Sequence, residues 1–323
     1  MKNYYTIIIP MYIISISFSL SSSSWLSIWI GMEMNLLTFI FMILETKTFN
    51  STESSMKYFL IQSAGSLMFL IAISVQTTFF NEPFFINAMT PPMALMLKSG
   101  IAPLHLWTPD ISMKLSSPNL FLFITLQKII PMLMLFSSWT HWMKWIIPLN
   151  IIIGSLGGIS QSSINKMIIF SSINNSGWMM LSLTESLFVF YIFFLFYFMM
   201  NFLLMNFIME NKIKWIAQIK PQNFFKKLSF VSLMMSLSGL PPFMGFIPKW
   251  IVLKKIVTLL PMISLISILM SIFTLFFYMK LAINMMLYSS VSKKWKIHFS
   301  SKWNLIILTM LNLTSVSLFI LLT

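Results

Sequence analysis

Apolar runs of about 20 residues follow one another along almost the whole chain, and this pattern constrains the fold more than any other feature. A run of that length matches an α-helix that crosses the hydrocarbon core of a bilayer, which is about 30 Å thick. Of the 323 residues, 58% are hydrophobic and only 9% are charged. A soluble protein cannot bury so much apolar surface, so the sequence predicts an all-α, polytopic membrane protein.

The apolar runs predict eleven transmembrane helices. They cover residues 4–21, 25–44, 57–76, 84–108, 118–137, 145–164, 167–183, 186–208, 229–258, 262–286 and 303–322. With this count, 14 of the 21 lysines fall on the side of the N-terminus and 3 on the other side. Basic residues concentrate on the cytosolic or matrix side of a membrane protein. We therefore expect the N-terminus on that side and the C-terminus opposite.

A six-residue motif with helix-breaking residues occurs twice, as SGIAPL at Ser99–Leu104 and as SGLPPF at Ser238–Phe243. Proline lacks a backbone donor and glycine loosens a helix, so helices 84–108 and 229–258 are predicted to be broken. Backbone carbonyls freed within a membrane must face protein or water. The motifs therefore predict a polar, hydrated site, and the alternative is a simple packing kink.

The two motifs occupy matching places in an internal repeat. Each lies in the third helix of a block of five, and because five is odd the two copies cross the membrane in opposite directions, as in the inverted repeats of transporters. The predicted organisation is a single transmembrane domain, 1–323. It consists of an extra N-terminal helix (1–22), a first five-helix repeat (25–164) and a second repeat (167–323) with a basic loop at 211–228.

Four charged residues fall well inside predicted helices: Glu33, Lys98, Lys128 and Lys249. A charge at the bilayer centre costs about 2.5–3.5 kcal/mol even on lenient scales, so such residues usually pair or line a polar pathway. Lysine gives up its proton readily when it is buried, so lysines bridged by water can hold and release protons. For Glu33 and Lys98, the alternative to a role in proton transfer is an ion pair that only stabilises the structure. His105 follows the first break and is either a proton relay or a hydrogen-bonded packing residue.

The other charged groups and several absences limit what the chain can do. The remaining acidic residues lie near helix ends or in loops, where we expect them to be solvated: Glu45, Glu53, Glu82, Asp110, Glu185 and Glu210. The chain has no cysteine, which excludes thiolate metal and iron–sulfur ligation. It also has no phosphate-binding glycine motif. We expect no bound cofactor or metal and, because the lysines are scattered, no nucleic-acid binding despite the net charge of +14.

Four segments together resemble a known family. They read GMEMNLLTFIFMI (31–43), LKSGIAPLHLWTPD (97–110), TLQKIIPM (125–132) and SGLPPFMGFIPKW (238–250). They are similar to the antiporter-like membrane subunits of mitochondrial NADH–ubiquinone oxidoreductase, respiratory complex I, and specifically to the family of its chain 2. The motifs occur in the order of that family, and the resemblance spans nearly the whole chain.

The resemblance implies a role for each buried charge. It implies that Glu33, Lys98, Lys128 and Lys249 form a proton-transfer axis across the inner mitochondrial membrane. The second repeat lacks an acid that matches Glu33. Two alternatives therefore stay open: a structural or electrostatic-relay subunit without a complete proton path, and a stand-alone cation/proton antiporter with the same fold.

The resemblance also implies where the chain works and with what. Proton translocation would be coupled to NADH oxidation and ubiquinone reduction in other subunits, which would hold the NADH, FMN, iron–sulfur and ubiquinone sites. The partners would be other membrane-arm subunits and lipids such as cardiolipin, and the chain would not form a homo-oligomer. The N-terminus would face the matrix and the C-terminus the intermembrane space.

Overall fold

The computed structural model describes the chain over residues 2–45, 47–78, 85–211, 215 and 224–287. Over these residues the regular structure is helical and contains no strand, which confirms the predicted all-α fold. Six segments of this part are long and apolar enough to cross a membrane. The predicted helix 303–322 lies outside the described residues.

The described helices are named here in chain order. They are α1 (Lys2–Ser21), α2 (Trp25–Leu44), α3 (Phe49–Thr78), α4 (Phe85–Ser99), α5 (Trp107–Ser112), α6 (Ser117–Ile124), α7 (Ile129–Ser138), α8 (Thr140–Ile159), α9 (Ile164–Glu185), α10 (Leu187–Asn211), α11 (Phe224–Ser238), α12 (Phe246–Leu259) and α13 (Pro261–Leu287), with a 3-10 turn (Leu126–Lys128) between α6 and α7.

The first predicted break is confirmed between α4 and α5. α4 ends at Ser99, and Gly100 follows with a φ of 64°. The backbone N–H of Ile101 then donates to the carbonyl of Met96 at 3.1 Å. A glycine in the left-handed region with this backward bond is a common helix C-terminal cap, because glycine adopts positive φ without a steric penalty.

The second predicted break is confirmed between α11 and α12 and uses the same cap. Gly239 has a φ of 84°, and the N–H of Leu240 donates to the carbonyl of Met235 at 3.3 Å. The two copies of the motif therefore end their helices in the same local conformation. The sequence similarity of the motifs reflects a shared backbone geometry.

A third break was not predicted. The run 118–137 was expected to form one helix, but it divides into α6, the 3-10 turn Leu126–Lys128 and α7. Pro131 has no N–H to donate to the carbonyl of Gln127, four residues earlier, and its ring clashes with that carbonyl. The helix is therefore interrupted at the turn that contains Lys128.

Some predicted helix boundaries are wrong because polar first turns do not belong to an apolar run. The helix predicted at 57–76 begins at Phe49, where the N–H of Ser51 donates to Thr48 Oγ1 at 3.2 Å and the N–H of Thr48 to Ser51 Oγ at 3.0 Å. This reciprocal pair resembles a capping box. For the same reason α8 begins earlier than 145, and α11 begins at Phe224, within the predicted loop.

The chain divides into two compact units, and the first comprises Met1–Ile146. Its core contains a cluster of four aromatic rings, Phe39, Tyr58, Trp107 and Phe123, whose centroids lie 5.0–6.3 Å apart. These rings come from α2, α3, α5 and α6. The cluster holds the short helix after the first break against the two long helices that precede it.

The second unit comprises Ile147–Thr323. Its central described helix is α9, which is buried over most of its length although it carries many Ser and Asn residues. A Cβ atom at Gly154 of α8 would clash with the backbone nitrogen of Asn174 in α9. The absence of a side chain at Gly154 therefore permits close packing of these two helices.

Candidate functional site

Glu33 and Lys98 form a partly buried ion pair at the first break. Lys98 lies in the last turn of α4, and its Nζ is 3.4 Å from Oε1 of Glu33 in α2. The side chain of Lys98 is 4% exposed and that of Glu33 is 27% exposed. The ammonium group is compensated by the carboxylate and by the negative end of the α4 dipole. The structure thus brings together two of the residues that the sequence analysis selected.

Gln62 completes the end of α4 and was missed by the sequence analysis. The carbonyl of Lys98 has no helical donor because α4 ends one residue later. Nε2 of Gln62, from α3, donates to this carbonyl at 2.9 Å. A glutamine inside the apolar run of α3 was an available signal, because a buried amide requires hydrogen-bond partners.

A small cavity lies beside Lys98. Its polar lining consists of Asn35, Tyr58, Gln62, Lys98 and Gln127. The space open to the centre of a water molecule is about 20 Å³, which is room for about one water molecule. The site is therefore a small polar pocket within an apolar helical unit.

Lys128 lies in the 3-10 turn rather than at the centre of a continuous helix, and its side chain is buried. The preceding residue, Gln127, donates from Nε2 to Oδ1 of Asn35 at 3.0 Å. Asn35 lies two residues after Glu33 on α2. One helix thus contacts both the lysine at the break and the turn that carries Lys128.

His105 lies between α4 and α5 and is buried. Its Nδ1 is 3.2 Å from the carbonyl oxygen of Pro103, and its own carbonyl accepts a hydrogen bond from Oγ1 of Thr108 at 2.8 Å. These bonds shape the local turn, in agreement with the packing alternative. Its service as a proton relay stays a prediction.

Lys249 reaches back across the second break. It follows the break on α12, yet its Nζ donates to the carbonyls of Ser238 at 2.8 Å and Leu237 at 3.5 Å, at the end of α11. Its ammonium also lies 5.7 Å from the ring centroid of Trp178. A Cβ atom at Gly239 would come within 2.8 Å of Lys249 Cδ. Glycine at this position therefore both forms the cap and leaves space for the lysine.

Glu185 was expected to be solvated, but most of its side chain is buried. Its side chain is 14% exposed, and Oε1 lies 2.7 Å from Nζ of Lys255 in α12. Its Oε2 is buried and has no hydrogen-bond partner among the described residues. Glu53 was also expected to be solvated; its side chain is 34% exposed and forms ion pairs with Lys57 and Lys114. The pair of Glu53 with Lys57, four residues apart in α3, can be read from residue spacing, whereas the pairs with Lys114 and Lys255 join segments distant in the chain and cannot.

The fold and the site define a class of protein: a polytopic helical membrane protein whose broken helices present buried lysines. Residues 22–277 match the family model "NADH:quinone oxidoreductase/Mrp antiporter, TM". The chain belongs to this family of antiporter-like membrane subunits, as the sequence motifs predicted.

Individual relatives support the same assignment. NADH-ubiquinone oxidoreductase chain 2 of Anopheles gambiae is 34% identical over 297 residues, which cover 88% of this chain and 87% of the relative. The same-named protein of Artemia franciscana is 35% identical over 278 residues, with 85% and 88% covered. Among solved structures, a chain of respiratory complex I from Thermus thermophilus superposes with a TM-score of 0.79 at 18% identity, covering 96% of this chain and 77% of that one. At that identity the likeness supports the fold.

Proposed function

We propose that this chain is a core membrane-arm subunit of respiratory complex I and takes part in proton translocation across the inner mitochondrial membrane. NADH oxidation and ubiquinone reduction would take place in other subunits, which hold the redox cofactors. The proposal is supported by the names of the relatives and by the several membrane spans. The N-terminus would face the matrix, as the lysine distribution predicts.

The Glu33–Lys98 pair beside the polar cavity is the observation that carries this proposal. A carboxylate in contact with a lysine favours the protonated amine, and separation of the two groups favours release of the proton. The cavity provides a polar place for a proton acceptor next to Lys98. In this mechanism Lys128 and Lys249 are further proton-holding groups, and His105 assists transfer near the first break.

A second candidate function is a subunit that transmits electrostatic changes without a complete proton path of its own. The contacts of Lys249 favour it, because backbone carbonyls cannot titrate and the lysine serves there as a cap for α11. A stand-alone cation/proton antiporter is the third reading, since the matched family model includes Mrp antiporters.

The substitution Lys128→Ala tests the proposal in the assembled complex. General acid–base groups contribute about 10²–10⁴-fold to rates, so we expect NADH-driven proton uptake by membrane vesicles to fall by about tenfold or more. Coupled ubiquinone reduction should fall with it, while native electrophoresis should show an assembled complex.

Lys144→Ala is the matched control, because Lys144 belongs to the same unit but its side chain is exposed. It should leave proton uptake unchanged. Normal proton uptake in the Lys128→Ala complex would instead favour a purely structural role for the buried lysines.

A further inference from the structure

Three buried or partly buried carboxamides surround the cavity beside Lys98, and the proposed proton axis assigns none of them a role. Asn35 of α2 and Gln62 of α3 are almost fully buried. Gln127 belongs to the 3-10 turn and immediately precedes Lys128. Burial of an amide is costly unless it is hydrogen-bonded, so the clustering of three of them indicates a specific polar arrangement.

The hydrogen bonds of these amides are directional. Gln127 donates to Asn35 at 3.0 Å, and Gln62 donates to the carbonyl of Lys98 at 2.9 Å. A carboxamide has two N–H donors and an oxygen acceptor. Among the described residues, no further hydrogen-bond partner is found for Nδ2 of Asn35 or for the side-chain oxygens Oε1 of Gln127 and Gln62, and all three residues line the cavity.

The cavity wall also includes Pro131. Because proline has no N–H, the backbone carbonyl of Gln127 loses its helical donor. A water molecule needs about 10–15 Å³ of accessible space and two to four polar partners. The cavity offers about 20 Å³, and its polar lining includes the Lys98 side chain.

We propose that Asn35 and Gln127 form an amide clasp that positions the Lys128 turn against α2 and, with Gln62, holds a water molecule next to Lys98. This inference rests on the proposed proton-transfer role of Lys98 and Lys128. The water accepts a proton from the Lys98 ammonium while it passes one of its own protons toward Lys128, so it is regenerated. The amides do not change protonation; they are positioning residues.

The clasp couples two events through one helix. Glu33 and Asn35 lie within one turn of α2, the first in contact with Lys98 and the second with Gln127. A displacement of α2 that separates Glu33 from Lys98 therefore also strains the hydrogen bond between Asn35 and Gln127, next to Lys128. Release of a proton from Lys98 and rearrangement of the water next to it would occur together.

The test uses the variants Asn35→Leu and Gln127→Leu, which remove an amide and keep a similar volume, in the assembled complex in membrane vesicles. NADH-driven proton uptake, normalised to assembled complex, should fall severalfold in each, and the double leucine variant should be no worse than either single one.

The exchange Asn35→Gln with Gln127→Asn preserves the amide pair and the combined length of the two side chains. It should restore most of the proton uptake. Gln161→Leu is the control, since the side-chain bonds of Gln161 to described residues lie within its own segment.

Infrared difference spectra of the oxidised and NADH-reduced complex in ordinary and ¹⁸O-labelled water provide a readout that a merely structural role would not change. An isotope-sensitive band of a hydrogen-bonded water should be present in the native and exchanged complexes and absent in the leucine variants. Native uptake and an unchanged water band in the leucine variants would overturn the clasp.

Comparison with Lys128→Ala separates the two proposals. If that variant loses proton uptake while the assembled leucine variants keep it, only the clasp fails. If Lys128→Ala also pumps normally, the proposed function fails too. If the leucine variants do not assemble, the variant with the exchanged amides is the deciding test. An assembled complex of this variant without proton uptake contradicts the proposal. Native proton uptake together with the water band supports it.

Discussion

Lys98 and Lys249 are both buried ammonium groups, but their compensation is different. Lys98 contacts a carboxylate, whereas Lys249 contacts two backbone carbonyls and the face of an indole ring. A carboxylate can move away or take up a proton, and a backbone carbonyl can do neither. We therefore expect the charge of Lys98 to respond to Glu33, and the contacts of Lys249 to hold α11 and α12 together.

The substitution Glu33→Gln tests this expectation at the residue scale. A neutral amide stabilises the Lys98 ammonium less than a carboxylate does, so proton uptake should fall, as we also expect for Lys128→Ala, and its dependence on pH should change. The pH profile of NADH-driven proton uptake measures this. Glu45→Gln, at the partly exposed C-terminal end of α2, is the control. A pH profile identical to that of the native complex would contradict the role of the pair.

At the scale of elements, α9 and α12 are joined at two points. Trp178 lies under the ammonium of Lys249, and Glu185 pairs with Lys255. Trp178 and Glu185 are seven residues apart, which places them on the same face of α9 about 10 Å from each other. The ion pair at the helix ends therefore helps to set the position from which Lys249 reaches the second break.

Loss of the Glu185–Lys255 pair should destabilise the second unit by a modest amount. The half-exposed Lys255 is screened by solvent, so we expect Lys255→Gln to cost about 1 kcal/mol. Glu185→Gln should cost less, since it leaves no buried charge unpaired. The thermal inactivation midpoint of the complex measures both.

Lys254→Gln is the control for this pair, because Lys254 lies over the ring of Trp250 instead, with its Nζ 5.1 Å from the ring centroid. Equal midpoints for Lys254→Gln and Lys255→Gln would show that the ion pair makes no specific contribution. A double variant of Glu185 and Lys255 should be less damaging than Lys255→Gln alone, since neither charge then remains without its partner.

At the scale of the whole molecule, many large apolar side chains are exposed along the described helices. Examples are Phe188 of α10 and Met262 of α13, which are 73% and 75% exposed. In a membrane such surfaces contact lipid or neighbouring subunits. The apolar exterior therefore agrees with both a complex subunit and a stand-alone antiporter, and the size of the native particle distinguishes them.

After gentle solubilisation of the membrane in mild detergent, we expect the chain to migrate with the other complex I subunits as one large species. Native electrophoresis followed by detection of this chain measures the size. Dissociation in a harsh detergent should release the chain and serves as the control. Migration as a small, lone species from the mild extract would exclude the complex-subunit function.

The sequence by itself determined the features that depend on local chemistry. Apolar length defined the membrane spans, and the paired glycine and proline motifs at Gly100 and Gly239 located two of the breaks. The unfavourable burial of charge identified Glu33 and Lys98. The break at Lys128 could also have been predicted from the local sequence, since Pro131 removes a helical hydrogen bond. The continuous apolar run 118–137 instead led to the prediction of one unbroken helix.

Only the tertiary structure decided which side chains meet. The contacts of Gln62 with the end of α4, of Gln127 with Asn35, and of Lys249 with the end of α11 depend on how each helix is rotated and how closely it packs. Helix rotation and packing distance are set by side-chain contacts between segments far apart in the chain, and residue spacing within one helix does not specify them. For this reason the polar residues around Lys98 became visible only in the folded unit.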